Sequence, residues 1–508
     1  AALATTLGLS LFFAAGPATA QVDFTRFTQI GDSLTAGYLD GCWVEHGQRN
    51  SYGAILARQA GAPSFEQPLM GEPGLGSGIG PGKGCLVLTS LTPTFSRAES
   101  VLRPLNLNLP RPYNNLGVPG YKVLDVTNSK SSADNGNPLT DLVLRGSGAT
   151  VLEQAASVKP TFLTIFIGNN DYLGAAAVGT AIEGVTLTPL NVVLPKLVQI
   201  LDTMKVAQGG TGKGVVMTLP DPTTIPFAST ISPVISVGGQ PLINPANGQP
   251  VTYISKRIQK VDGFPTGDIG NPAPIPPTSL LTLNAGPLLA VGFGIPCSIL
   301  NSGGAPANDP RRANCDKPLP DDFDPVTGAP GVVLYPDEVA AIQDRVEVVN
   351  ATLTSVATND GFQVFDTNAL FADLVKRGRS YGGITITTAY LSGGFFSLDG
   401  VHPTTIGYAI FADELIKFIN TSFGASIPAV DFSTFFGTIS DVAGLTAPLS
   451  GEELIAAVAQ IYSPENWEGL RRVLGAPGRR ELTLGDSGSP LRPARGTIQE
   501  IGPHGKER

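Results

Sequence analysis

Short apolar runs alternate with segments whose apolar residues recur at helical spacing along most of this chain. Residues 159–167 form an apolar run that predicts a buried strand. Residues 190–206 repeat apolar side chains every three or four positions, which predicts a helix with one buried face. Apolar runs predict further strands at 214–219 and 362–365, and an alternation of apolar and polar residues predicts a strand at 24–30. Further helices are predicted at 336–358, 404–418 and 451–461.

Strands that alternate with helices favour an α/β fold, a three-layer sandwich whose mainly parallel central sheet is covered by helices. Ligands of such folds bind beyond the carboxyl ends of the strands. Ser33, Gly120 and Asn170 follow expected strands directly or lie in the loops after them. We therefore expect a functional site at this edge of the sheet.

A segment rich in Gly and Pro, residues 220–334, interrupts the alternation and is too long for an ordinary connection. Its stretch 280–300 is strongly apolar, but Gly and Pro residues break it and argue against a transmembrane helix. Two interpretations of this insertion stay open. It is a subdomain packed on the core, or an apolar wall or lid over the site.

The two ends of the chain differ in character from its middle. Residues 3–15 are almost entirely apolar and are followed by Ala18-Thr19-Ala20, which predicts that 1–20 are the remainder of a secretion signal. Residues 21–424 would form the main domain and 425–508 a C-terminal extension. Its last part, 471–508, has eight Lys and Arg against four Asp and Glu and predicts a flexible basic tail.

Composition narrows the class of protein. Hydrophobic residues make up 42% of the chain and charged residues 15%, which fits a folded protein with a large core. The formal net charge of −9 argues against general nucleic-acid binding. Only three histidines and no Cys-x-x-Cys are present, so we expect no metal site and no cofactor.

The four cysteines are an even number in a chain that we expect to be secreted, periplasmic or on the cell surface, which favours disulfides. Three pairings are open to four cysteines. We favour Cys42 with Cys85 and Cys297 with Cys315, because each pair brackets one local loop rich in Gly and Pro.

The run Gly31-Asp32-Ser33-Leu34 places a serine where the first strand turns into a helix. A glycine permits the tight turn, and Asp and Ser suit a helix start. A serine there projects its oxygen beside main-chain N–H groups, as a nucleophile requires. The alternative is an ordinary helix-capping serine. A second Gly-Asp-Ser, residues 485–487, has no such strand before it.

A serine nucleophile needs a base, and the chain offers His46, His402 and His504. Asp399 precedes His402 by three residues, a spacing at which a carboxylate can hold one ring nitrogen and turn the other towards the serine. Alone, this spacing is more often a polar turn. Together with Ser33 it predicts a triad of Ser33, His402 and Asp399.

Four segments carry a resemblance to a known family, and they follow one another in the order Gly31-Asp32-Ser33-Leu34, Asn115-Leu116-Gly117-Val118-Pro119-Gly120, Gly168-Asn169-Asn170-Asp171 and Leu398-Asp399-Gly400-Val401-His402-Pro403. In this order they resemble the SGNH (GDSL) family of serine esterases and lipases, over roughly residues 24–424. The resemblance implies a flavodoxin-like fold. It also implies an oxyanion hole built from the backbone N–H groups of Ser33 and Gly120 and the side-chain amide of Asn170, with Gly117 as the rival of Gly120.

The resemblance further implies a secreted hydrolase that cleaves carboxylic esters through an acyl-enzyme. Its expected partner is a small-molecule or lipid ester, and transient contact with a lipid surface is compatible with that expectation. Two alternatives stay open. One is a carbohydrate acetylesterase with the same catalytic set, and the other is a non-catalytic surface or binding protein on an esterase scaffold. The oligomeric state stays open as well.

Overall fold

The computed structural model describes residues 22–477, apart from 91–93, 258–270, 303–304, 322, 324–328, 382, 436–448 and 450. The expected secretion signal, 1–20, and the part of the expected basic tail beyond residue 477 lie outside the described residues.

The strands of the central sheet are separated by helices, and shorter strands lie in the connecting segments. The strands are β1 (Phe27–Gly31), β2 (Leu86–Ser90), β3 (Thr94–Arg97), β4 (Asn115–Gly117), β5 (Phe162–Phe166), β6 (Gly214–Met217), β7 (Ser236–Val237), β8 (Gln240–Pro241), β9 (Ile254–Lys256), β10 (Ala273–Pro274), β11 (Leu280–Leu281), β12 (Leu319–Pro320), β13 (Val333–Leu334), β14 (Gln363–Phe365), β15 (Arg379–Tyr381) and β16 (Ile384–Ile386). The helices are α1 (Ser33–Ala36), α2 (Glu45–Arg49), α3 (Tyr52–Gln59), α4 (Val123–Asn128), α5 (Ser132–Asn135), α6 (Leu139–Leu144), α7 (Val151–Val158), α8 (Asn170–Ala177), α9 (Leu190–Ala207), α10 (Pro226–Ser229), α11 (Ala285–Ala290), α12 (Cys297–Ser302), α13 (Pro336–Asp360), α14 (Thr367–Arg377), α15 (Thr405–Phe423), α16 (Gly451–Ile461) and α17 (Pro464–Val473).

The central sheet has the order β14-β6-β5-β1-β4, and all four neighbouring pairs are parallel. Ile30 in β1 lies opposite Leu116 in β4 and Ile165 in β5. The expected α/β class and mainly parallel central sheet are thereby confirmed. The expected strands and helices occur within a few residues of their predicted positions, and α15 continues beyond its predicted end to Phe423.

Successive residues of the sheet face two apolar cores, as expected for strands covered on both sides. In β5, Phe162 and Phe166 belong to the core that also contains residues of α3 and α15. Leu163 and Ile165, between them, belong to the core that contains residues of α4, α7, α9 and α13. This two-sided burial explains why β5 and β6 have apolar side chains on both faces of the sheet rather than on one face only.

The insertion folds into short strands, β7–β13, and the helices α10–α12. Leu281, Leu283 and Leu319 are fully buried and belong to the same core as Phe162 and Phe166. The described part of the insertion therefore packs on the central domain, as a packed subdomain would.

Both favoured disulfide pairings are confirmed. Cys42 is bonded to Cys85 with 4.9 Å between the Cα atoms, and Cys297 to Cys315 with 5.0 Å. Two disulfides indicate an oxidising, extracellular environment. In the part of the chain that the structure describes, no helix has the length and apolarity needed to cross a membrane.

The structure of the C-terminal extension differs from the expected flexible tail. We expected a flexible tail from residue 471, but Arg471–Val473 belong to α17, and Leu474 is fully buried. The prediction was wrong because the basic residues in the last turn of α17 resemble the start of a charged tail. Only residues after 477 remain candidates for that tail, and they lie outside the described range.

Gly117 allows α1 to lie directly against β4. A Cβ atom at this position would be 2.7 Å from the Ala36 nitrogen and 2.9 Å from the Thr35 Cβ. We expect Gly117→Ala to lower the free energy of unfolding by about 2 kcal/mol, because the added methyl group forces the two elements apart. Denaturant unfolding measures this loss.

Gly78→Ala is the matched control for this variant, because a Cβ atom at Gly78 would have no neighbour within 4 Å. Its free energy of unfolding should stay within about 0.5 kcal/mol of wild type. Equal stability of the two variants would contradict the close contact between α1 and β4.

Candidate active site

Ser33 lies at the turn between β1 and α1, and its hydroxyl does not cap the N-terminus of α1. Asp32 is the N-cap residue, and its Oδ1 accepts a hydrogen bond from the Leu34 N–H at 3.0 Å. A side chain at Gly31 would lie 2.0 Å from the Thr35 Oγ1, so the turn requires a glycine there. The capping role that sequence allowed for Ser33 falls to Asp32, and the Ser33 oxygen faces His402 instead.

The structure brings Ser33, His402 and Asp399 into one hydrogen-bonded chain. The Ser33 Oγ lies 2.9 Å from the His402 Nε2, across 369 positions of sequence. The His402 Nδ1 lies 2.9 Å from the Asp399 Oδ2. Ser33 is 3% exposed, and the other two residues are fully buried. The arrangement has the geometry of a nucleophile, a base and an orienting carboxylate.

The Asp399 carboxylate is surrounded by donors. Its Oδ1 accepts hydrogen bonds from the N–H groups of Val401 and His402, at 3.0 and 2.9 Å, and from the Ser397 Oγ at 3.0 Å. Its Oδ2 accepts from the Gly41 N–H at 2.9 Å. These contacts fix the plane of the carboxylate towards the imidazole.

Burial acts to raise the pKa of Asp399, but the charge interaction with His402 and the hydrogen bonds from His402 and Gly41 outweigh it and lower the pKa to about 2. The carboxylate is therefore ionised at neutral pH. A charged acceptor at the Nδ1 of His402 keeps the proton of the neutral imidazole on that nitrogen. The Nε2 is then free to accept the hydroxyl proton of Ser33.

A second set of polar contacts joins the loop after α1 to the loop of Asp399. The Asp40 N–H donates to the Ser397 Oγ at 3.0 Å, and the Leu398 N–H donates to the Asp40 Oδ1 at 2.8 Å. Sequence reasoning missed Asp40, Gly41 and Ser397. The only local signal was their position, two of them directly before Cys42 and the third two residues before Asp399.

Asn170 begins α8 and lines the same pocket as Ser33 and His402. Its Nδ2 donates to the Tyr121 carbonyl oxygen at 3.0 Å, and its Oδ1 has no hydrogen-bond partner among the described residues. The bond to Tyr121 ties the Asn170 side chain to the loop that contains Gly120. Asn170 therefore shares a pocket with Ser33 and is connected to the loop of the second expected donor.

Gly120 lies in a turn after β4 with a φ of 84°, a conformation that favours glycine. It is not among the residues that line the pocket of Ser33. The N–H of its rival Gly117 donates to the Asn115 Oδ1 at 2.9 Å and is therefore already engaged. This contact favours Gly120 over Gly117 as a donor to a reacting group.

Two further buried carboxyl groups support these loops. The Asn169 Nδ2 donates to the Asp32 Oδ2 at 2.9 Å and links the loop of Asn170 to the turn of Ser33. The Asp171 Oδ2 accepts from the Val123 N–H at 2.9 Å. Burial raises the pKa of both Asp32 and Asp171 to about 6.

The pocket at Ser33 is mainly apolar and open to solvent on one side. Its polar lining includes Ser33, His402 and Asn170. The apolar residues that surround them are Leu34, Tyr172, Leu173, Leu219, Pro220, Pro222, Ile225, Val346, Phe371 and Val401. Among the described residues of the insertion, those that line the pocket are Pro220, Pro222 and Ile225, close to its start.

The other histidines lie elsewhere. The His46 Nδ1 contacts the Glu72 Oε1 at 2.8 Å in a solvent-exposed pair. His504 is outside the described residues. His402 is the histidine that the structure places against Ser33.

Comparison with known proteins adds no assignment: no protein-family model, no curated protein and no solved structure matches the chain. The geometry of the site is therefore the basis for the function that follows.

The raised pKa of Asp171 gives the stability of the protein a defined pH dependence. Its pKa is about 6 in the folded protein against 3.8 for the unperturbed group, so the folded state binds this proton more tightly than the unfolded state. This group therefore lowers stability as the pH rises from about 4 to 6, by a total on the order of 3 kcal/mol.

Asp171→Asn removes that loss and retains an oxygen that can accept from Val123. We expect the free energy of unfolding of the variant, relative to wild type, to be higher at pH 7.5 than at pH 4.5. Denaturant unfolding of both proteins at both pH values measures this. The exposed Asp202, changed to Asn, is the control. The same stability difference for Asp171→Asn at both pH values would contradict the raised pKa.

Proposed function

We propose that this chain is a serine hydrolase that cleaves carboxylic esters. The observation that carries the proposal is the unbroken chain of 2.9 Å contacts from the Ser33 Oγ through His402 to Asp399, at an apolar pocket. A non-catalytic binding protein would have no need of this alignment. The order of the four motifs in the sequence supports the same class of enzyme.

The first half of the proposed reaction acylates Ser33. The Ser33 oxygen attacks the ester carbonyl carbon while the His402 Nε2 takes its proton, and Asp399 stabilises the imidazolium. The negative charge on the former carbonyl oxygen is stabilised by the N–H groups of Ser33 and Gly120 and by the Asn170 amide. His402 then protonates the departing alcohol.

The second half returns the enzyme to its starting state. Water attacks the acyl carbon while His402 takes its proton, and collapse of the tetrahedral intermediate releases the acid and restores the Ser33 hydroxyl. Every proton in the cycle moves through one imidazole nitrogen. The reaction as proposed uses side-chain and backbone groups of this chain and no cofactor.

The pocket lining supports an acyl group as the part of the substrate that is buried. Apolar side chains surround Ser33, which favours a small-molecule or lipid ester over an acetylated sugar. The disulfides are consistent with a secreted enzyme. A panel of acetyl, butyryl and palmitoyl esters beside acetylated xylan distinguishes the esterase from the carbohydrate acetylesterase, whose activity would be confined to the acetylated polysaccharide and short acetyl esters.

Ser33→Ala and His402→Ala remove the nucleophile and the base. We expect each to lower kcat for a short p-nitrophenyl ester by about 10⁴-fold or more, because neither group acts without the other. Ser487→Ala is the matched control, since Ser487 occupies the second Gly-Asp-Ser of the chain and should leave kcat unchanged. Hydrolysis by Ser33→Ala at the wild-type rate would exclude Ser33 as the nucleophile.

A further inference from the structure

The C-terminal hairpin, residues 451–477 with α16 and α17, packs against the insertion. A Cβ atom at Gly286 in α11 would lie 2.4 Å from the Val458 Cγ1 in α16, so the two helices approach closely at this glycine. Ala457, Val458 and Ile461 are buried. Two segments that the sequence marks as separate additions to the domain therefore form one structural layer.

Tyr462 connects this layer to Asp399, the carboxylate of the proposed triad. The Tyr462 hydroxyl donates a hydrogen bond to the backbone carbonyl oxygen of Asp399. The Tyr462 ring packs edge-on against Phe227, with 5.3 Å between the ring centroids. The Tyr390 hydroxyl holds the neighbouring carbonyl, that of Leu398, at 2.6 Å. Two tyrosines thus fix the backbone that carries the Asp399 carboxylate.

The hairpin also contacts the loop that holds the other side of this carboxylate. The Leu470 Cδ2 would lie 3.2 Å from a Cβ atom at Gly41, the residue whose N–H donates to Asp399. Asn466 accepts a hydrogen bond from the Arg97 Nε at 2.7 Å, and the Arg97 guanidinium in turn lies beside Gly41.

The end of the hairpin lies against two of the loops that carry proposed oxyanion donors, those of Gly120 and Asn170. The Arg472 carbonyl oxygen is 2.7 Å from the position of a Cβ atom at Gly120. Gly475 contacts Asn170, since a Cβ atom there would lie 2.5 Å from the Asn170 carbonyl oxygen. The hairpin therefore contacts the loops of Gly41, Asp399, Gly120 and Asn170.

From these contacts we propose that the C-terminal hairpin is a positioning element of the catalytic centre, with Tyr462 as the positioning residue for Asp399. The inference rests on the proposed function and assigns the hairpin a role in the same site. Catalytic groups must be held to about 0.5 Å, and a displacement of about 1 Å costs on the order of 100-fold in rate. The hairpin supplies this restraint from outside the α/β domain.

Tyr462→Phe tests the role of the hydroxyl while retaining the ring. We expect kcat per folded molecule to fall about tenfold or more and KM to stay within about twofold. The reason for this separation is that the pocket lining includes no residue of the hairpin among those described. Tyr113→Phe is the matched control, because its hydroxyl also donates to a backbone carbonyl, that of Asn106 at 3.0 Å, outside the site. Thermal unfolding of each variant gives the folded fraction.

Gly475→Ala tests the contact with the oxyanion loop independently. Gly475 has a φ of 68°, and the added methyl group must displace either the hairpin or Asn170. We expect a lower kcat, whereas Gly451→Ala in the same hairpin, where a Cβ atom would have no neighbour within 4 Å, should keep the wild-type kcat.

The outcomes separate the two proposals. Wild-type protein without esterase activity would overturn the proposed function and the inference with it. An active wild-type protein in which Tyr462→Phe has the same kcat per folded molecule as Tyr113→Phe would overturn the inference alone. Gly475→Ala with wild-type kcat would overturn the part of it that concerns Asn170.

Discussion

The buried, ionised carboxylate of Asp399 is the group on which the arrangement of the site depends. An isolated charge in a protein interior is strongly unfavourable, so it has to be surrounded by donors. Here the donors come from its own loop, from the Gly41 N–H and from the His402 ring. Because these groups are far apart in sequence, the requirement to stabilise one charge brings two distant loops together and aligns His402 with Ser33.

The α/β architecture makes this convergence feasible. Ser33 follows β1, Gly120 follows β4 and Asn170 follows β5, and these three strands are neighbours in the parallel sheet. Their carboxyl ends therefore meet at one edge. The bond from Asn169 to Asp32 and the bond from Asn170 to Tyr121 then join the three loops to one another.

The insertion and the C-terminal hairpin give this edge an outer layer. The insertion packs on the sheet core, its first residues line the pocket, and its helix α11 supports α16 of the hairpin. The hairpin in turn contacts the loops of Gly41, Asp399, Gly120 and Asn170. The layer thus lines part of the pocket and contacts the loops of the proposed catalytic residues, and its two parts are not continuous in sequence with each other.

The sequence predicts those features that depend on local patterns. Apolar runs and helical spacing located the central strands and helices, and the bracketing of Gly/Pro-rich loops identified both disulfides. The motifs predicted that Ser33, His402 and Asp399 belong to one site, and the structure places these three residues together.

Other features depend on contacts between distant segments that leave no periodic trace. Asp32 takes the helix cap because Ser33 faces His402, and Gly41 donates to Asp399 because two loops meet in space. The packing of residues 471–477 was missed for a different reason, since a short basic helix end resembles the start of a charged tail.

The most direct test of the account is covalent labelling of the folded protein with a fluorophosphonate, followed by peptide mass spectrometry. A serine whose hydroxyl is activated by His402 reacts with such a probe far faster than an ordinary serine hydroxyl. The account predicts one adduct, on Ser33, which disappears when the protein is unfolded before labelling. Folded protein that carries no adduct, or an adduct on another serine in place of Ser33, would contradict it.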